Sequence, residues 1–193
     1  MARDNITKYV ILGLLTHEPR SGYDIKKQIQ HTISYFWSDI SYGQIYPILA
    51  TLEKDGLATR EIELHKNNPN RKIYTITDKG REVFRKWLRK PASQEVIKYE
   101  VLMKLFFGYE LPVSESIENL QAFQAKLSQY LETMGLYEQN LRHVLAQDPD
   151  HIYFLLVVRF GQYFYESAQR WTEEALQLLE GSDEKKVSSE HTT

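Results

Sequence analysis

The sequence predicts a mostly α-helical protein with one small β-hairpin, divided into two domains. Three observations say so. Apolar residues recur at spacings of three and four through most of the 193 residues, the mark of helices with a buried face. Over residues 57–77 the period falls from 3.6 to 2, where alternation marks strands. Charge divides the chain: residues 1–90 hold 16 Lys and Arg against 10 Asp and Glu, and residues 91–193 hold 8 against 16. A basic half beside an acidic half suggests that only the first meets a polyanion; drift on a solvated surface is the plainer alternative.

The elements follow in order. Ile6, Tyr9, Val10 and Leu14 form one face of a first helix that Pro19 terminates. Ser21 is the cap of a second helix, with Asp24 three residues on as its capping-box partner and Ile25, Ile29 and Ile33 as its apolar stripe. A third helix opens at Ser41, again with a capping-box partner, Gln44. Its core face is Ile45, Ile48, Leu49 and Leu52, and Gly56 supplies the left-handed stop. "LATREIEL" and "RKIYTIT" then alternate about "HKNNPN", a hairpin with a basic, asparagine-rich tip. Thr77 or Asp78 caps a fourth helix with Val83, Phe84, Trp87 and Leu88 inward, and Pro91 closes a first domain of residues 1–90.

Three short helices followed at once by a basic hairpin is the order of a winged helix-turn-helix. There the third helix enters the DNA major groove and the wing lies along the backbone or minor groove. This explains an otherwise odd stretch. "SYGQIYP" puts uncharged Tyr42, Gln44, Tyr46 and Pro47 at the start of the third helix, where Lys and Glu are usual on a surface. Glutamine pairs with adenine N6 and N7, tyrosine reaches phosphate or packs on a thymine methyl, and proline offers a flat apolar surface. Plainer readings stay open: half-buried packing for Tyr42 and Tyr46, capping for Gln44, and a solvated tip for Lys66, Asn67, Arg71 and Lys72.

"KYVILGLLTHEPRSGYDI", "FWSDISYGQIYPILATLEKDGLA", "RKIYTITDKGREVFRKWL" and "YEVLMKLFF", taken in this order, resemble the PadR family of bacterial transcriptional regulators. The match is close over residues 5–107 and looser beyond, through "VVRFGQYFYESAQRWTEEAL". The resemblance implies a dimeric repressor, released from operator DNA (an inverted repeat) by a small, usually aromatic molecule. It carries DNA contact over to Tyr23, Gln44, Tyr46, Pro47 and the basic wing tip.

Residues 91–181 read as an α-helical dimerisation and effector domain. Leu120, Leu127, Met134 and Leu141 keep a heptad, with Phe123, Tyr130, Tyr137 and Val144 three residues after each. That pattern suits a seam between subunits or antiparallel packing within one. "QDPD" breaks the helix, and the next, from residue 150, is apolar almost all round in its first half, so something must cover it. With a helix over 95–107, it is the material of a homodimer. Fourteen of 24 aromatic residues lie after residue 90. Most are expected in the core; Phe106, Phe107, Tyr163 and Trp171 are candidates for the walls of an aromatic effector pocket. Residues 182–193 have no apolar period and read as a disordered tail.

Other classes find little footing. The chain has no cysteine, which excludes disulfides and thiolate metal sites. Its six histidines form no His-x3-His pair and its nine glycines are isolated, so neither a zinc centre nor a phosphate loop is expected. No enzyme activity and no cofactor are expected. "YVILGLL" is too short for a signal peptide or a membrane span, which predicts a cytoplasmic protein with no membrane partner. The alternative to DNA binding is a winged-helix adaptor between proteins, which leaves the basic domain and its wing without a purpose.

Overall fold

The structure, a computed structural model, describes residues 5–33, 40, 42–63, 70–92 and 98–190, with residue 42 and residues 182–190 described by backbone alone. It divides into two units, Met1–Glu95 and Val96–Thr193, a few residues past the boundary expected at 90.

The first unit contains α1 (Ile6–Leu15), β1 (Arg20–Ser21), α2 (Gly22–His31), α3 (Ile45–Lys54), β2 (Ala58–Glu63), β3 (Arg71–Ile76) and α4 (Asp78–Leu88). Its core is aliphatic: Ile11, Leu12, Leu15, Ile25, Ile29, Ile45, Leu49 and Leu52 are all fully buried. Each such side chain contributes about 1.5–3 kcal/mol on leaving water. The stripes expected on α2 and α3 are those found. On α1 the deepest residues are Thr7, Ile11, Leu12 and Leu15, while Tyr9, Val10 and Leu14 are only partly buried. That helix packs against α3, α4 and β3, so cover on several sides replaces the single expected stripe.

Ser21 and Asp24 form the capping box of α2, and Thr77 caps α4 by accepting from the Gly80 amide. Along α4, Val83, Phe84 and Trp87 are half-buried as expected. Trp87 stacks on Tyr9 with ring centroids 4.7 Å apart. Leu88, expected inward, is 58% exposed, because it lies about 100° around the helix from Trp87 at the very end of the element.

Helix α3 begins at Ile45, not Ser41; a 3-10 turn over Tyr42–Gln44 precedes it, and Ser41 lies outside the described residues. Pro47 gives the reason. In a helix starting at Ile45 it occupies the first turn, whose amides have no intrahelical partner, whereas further inside it would break a hydrogen bond. Gly56 ends the element with φ +69.

The hairpin is as expected, but the sheet has a third strand. Its order is β1-β3-β2, all antiparallel. Arg60 and Arg20 both lie opposite Tyr74, and Ser21 lies opposite Ile73. Two residues are too few to show an alternation, so β1 is invisible to periodicity.

The second unit holds α5 (Glu100–Phe106), α6 (Val113–Leu145) and α7 (Ile152–Glu190). α5 is shorter than the helix expected over 95–107, and residues 95–97 lie outside those described. α6 and α7 pack along each other within the chain. Leu120, Leu127 and Met134 are buried in that seam, while Tyr130, three residues after Leu127, sits at its rim and stacks on Tyr165. Tyr99 stacks on Phe164 and meets Phe123 edge on. The Glu138 carboxylate joins the helices further along, accepting from Gln162 Nε2 (2.7 Å), Arg142 Nη2 (2.6 Å) and Arg159 Nη1 (3.3 Å). The hydrogen bond from Gln162, then that from Arg142, holds its pKa below the usual range. The backbone of α7 stays helical to Glu190, so residues 182–190 of the expected disordered tail continue the helix, and residues 191–193 lie outside those described.

Candidate nucleic-acid interface

The interface is built on the start of α3. Ile45, Ile48, Leu49 and Leu52 anchor that helix in the core, which turns Gln44, Tyr46 and Pro47 to solvent. Gln44 occupies the N-cap of α3 and makes no side-chain capping hydrogen bond there; the box expected with Ser41 lies outside the described residues. Tyr46 is 57% exposed, yet its position is defined: a Cβ on Gly22 would stand 2.6 Å from its Cε1. Tyr23, the next residue of α2, is 64% exposed. Tyr42 opens the 3-10 turn; its side chain is not among those described. Gln44, Tyr46 and Tyr23 therefore present uncharged polar groups at one end of the paired helices α2 and α3.

The wing divides the remaining candidates. Lys66 and Asn67 lie outside the described residues. Lys72 is exposed on β3. Arg71 is engaged elsewhere: its Nη2 donates to Asp24 Oδ2 at 2.6 Å and to Ser21 Oγ at 3.1 Å. Neighbours in a strand point to opposite faces, so Arg71 turns toward α2 while Lys72 turns away. Burial raises the Asp24 pKa, but the hydrogen bonds from Ser21 and the charges of Arg71 and Arg20 outweigh it and leave it lowered. A second ion pair, Arg60 Nε to Glu53 Oε1 at 3.2 Å, ties β2 to the last turn of α3.

Sequence reasoning missed Gly22, Asp24 and Ser21 as parts of this surface. Asp24 was legible as a cap but not as the partner of a residue 47 positions away.

Among the described residues, no group of three or more His, Asp or Glu is arranged to hold a metal ion. No described helix is long and apolar enough to cross a membrane. In the second unit, Phe106 and Phe107 meet edge to face at 5.0 Å. Tyr163 lies 4.7 Å under the Arg159 guanidinium and accepts a hydrogen bond from it. Trp171 is 36% exposed. Among the described residues, no ring contact joins the Phe106–Phe107 pair to Tyr163 or Trp171.

Residues 11–86 match the transcriptional regulator PadR-like family, and residues 97–180 match the virulence activator alpha C-terminal family. The chain is 32% identical to the negative transcriptional regulator PadR of Bacillus subtilis, over 80% of its own length and 87% of the relative's. It belongs to the PadR-like family of transcriptional regulators. These relatives are regulators, not enzymes. Bacillus subtilis PadR solved in complex with operator DNA superposes with a TM-score of 0.76 at 28% identity, covering 91% of this chain and 99% of that one. The same protein solved with p-coumaric acid gives 0.70 over the same shares. The smu.1604c protein of Streptococcus mutans gives 0.74 at 31% identity, covering 88% of this chain and 98% of that one. PadR-like membership accounts for the mostly helical fold, the small sheet and the helical second unit.

Proposed function

We propose that this chain is a homodimeric repressor that holds an inverted-repeat operator through α3 and the wing, and releases it when a small aromatic molecule binds the helical unit. One observation supports this above the others: Gln44, Tyr46 and Pro47 are uncharged and exposed on a helix whose opposite face is fixed in the core. Side chains held this way suit base edges. Tyr23, Tyr42, Lys66, Asn67 and Lys72 complete the contact set, and operator binding as such is supported by the similar Bacillus subtilis PadR, solved in complex with operator DNA. Arg71 has a different role, argued below.

Dimerisation is supported by α7. Tyr153, Leu156, Phe160 and Tyr163 recur at heptad spacing along one side of that helix and are 69%, 60%, 70% and 59% exposed. A stripe of this kind needs a partner surface, and a second copy of the chain supplies one. The dimer then sets the distance between two recognition helices, about 34 Å for successive major grooves on one face of DNA. An aromatic effector is supported by the similar Bacillus subtilis PadR solved with p-coumaric acid; Phe106, Phe107, Tyr163 and Trp171 are the aromatic surface we assign to it.

The test is titration of the protein with a duplex that the wild-type chain selects from a randomised pool, at several salt concentrations. The log–log slope is expected to fall by about 0.9 for each phosphate neutralised. Salt-independent binding, or none, leaves the adaptor reading. An aromatic acid that quenches Trp171 fluorescence is expected to weaken DNA binding about 5–150-fold in the same concentration range. Quenching with unchanged affinity means a constitutive regulator.

A further inference from the structure

The wing and the recognition helix both rest on one short stretch of chain, the first turn of α2. We propose that this turn is the seat that registers the two DNA-facing elements, and that Arg71 positions the wing on it rather than contacting phosphate. The inference rests on the DNA-binding reading above.

Two independent contacts meet on the seat. From α3, the Tyr46 ring packs on Gly22, where a Cβ would approach it to 2.6 Å. From β3, Arg71 reaches Asp24 and Ser21. The receiving end is already organised without Arg71: Ser21 Oγ donates to Asp24 Oδ2 at 2.7 Å, the Ser21 amide donates to the same oxygen at 3.2 Å, and Ser21 Oγ accepts from the Asp24 amide at 3.2 Å. One carboxylate oxygen thus takes three donors, one of them from the wing strand. Strand β1, which carries Ser21, pairs with β3, so backbone and side chain fix the same junction.

The chemistry separates this role from a phosphate contact. A guanidinium aimed at a phosphate is weakened by a neighbouring carboxylate that competes for it. A guanidinium that positions a strand depends on that carboxylate. Removing the Asp24 charge therefore has opposite consequences in the two cases, although Asp24 itself is negative and in general repels DNA.

The experiment compares Asp24→Asn, Arg71→Lys and Lys72→Ala with the wild-type chain on the selected duplex, across salt. Positioning predicts that Asp24→Asn weakens binding about three- to ten-fold, a loss modest because the pair is partly exposed, with an unchanged salt slope. It predicts a similar loss for Arg71→Lys, which keeps the charge and the capping box but ends one atom short of the Nη2 that reaches both Asp24 and Ser21. Lys72→Ala is the contrast, reducing the slope by about one phosphate. Tighter binding by Asp24→Asn, or wild-type affinity for Arg71→Lys, overturns the seat and makes Arg71 a phosphate contact. Failure of the wild-type chain to select any duplex overturns the DNA-binding reading itself, and this inference with it.

Discussion

The ring of Tyr46 lies against the backbone of Gly22, so close that a methyl group there would stand 2.6 Å from Cε1 and 3.1 Å from Cδ1. Gly22 is the first residue of α2, where alanine is favoured over glycine by up to about 1 kcal/mol. Tyr46 is more than half exposed, so a methyl group at Gly22 displaces its ring outward into solvent rather than into the core. Gly22→Ala is thus expected to leave the thermal midpoint unchanged or slightly raised while weakening DNA binding by about 1 kcal/mol or more, for loss of a preorganised side chain. Calorimetry and a binding titration on one preparation check both halves. Wild-type affinity would show that the seat of this ring has no bearing on DNA.

Gln44 is exposed beside Ile45 and makes no capping hydrogen bond, which leaves its amide available to a base. Gln44→Ala is expected to cost about 1–3 kcal/mol on the selected duplex and much less on random DNA. Equal losses on both would assign it to the backbone.

The carboxyl of Asp24 titrates below its ordinary range because Ser21 and Arg71 favour the charged form over the effect of burial. Its folded pKa lies below its unfolded value of about 3.9. The stabilisation it gives is therefore fully present above that value and is lost as pH falls through the lower, folded pKa. Urea unfolding of wild type and Asp24→Asn is expected to differ at neutral pH and to converge only under strongly acidic conditions. Convergence already near pH 6 would contradict the assignment.

Phe160 is 70% exposed in a single chain and touches it chiefly through a stack on Phe164, so Phe160→Asp costs the protomer little. In a two-fold dimer the change is met twice, at about 1.5–3 kcal/mol for each side chain no longer buried. The dimer dissociation constant is expected to rise about 100-fold or more, with a normal helical spectrum. Sedimentation velocity checks this; an undisturbed dimer would place the interface elsewhere than on this stripe.

Much of this was legible in the sequence, and the exceptions share a cause. Ile25, Ile29, Ile45, Ile48, Leu49 and Leu52 repeat at helical spacing, and Ser21, Gly56 and Thr77 punctuate the elements by local chemistry, so these features are written within a few residues of themselves. The start of α3 was written there too, in Pro47, but the Ser41–Gln44 pattern suggested a longer helix. What could not be read locally depends on partners far along the chain. β1 exists only because β3 lies beside it. Arg71 looks like any wing cation until Asp24 is found next to it. Leu88 and α1 differ from expectation because periodicity names an apolar face without saying how many neighbours cover it.

The base of the hairpin is closed by the residues on either side of it. Leu57 donates its amide to Leu52 and accepts from that of Thr77, whose hydroxyl donates to Gly56, while Lys79 reaches the Asp55 carbonyl. Gly80 packs so tightly on Leu57 that any side chain would collide with its carbonyl. The root of the hairpin is thus fixed to the ends of α3 and α4 by backbone groups alone on the accepting side. If α3 reads the bases and the wing grips the backbone, as proposed, a lineage carrying this clamp keeps the two elements in one fixed register while the side chains each presents diverge.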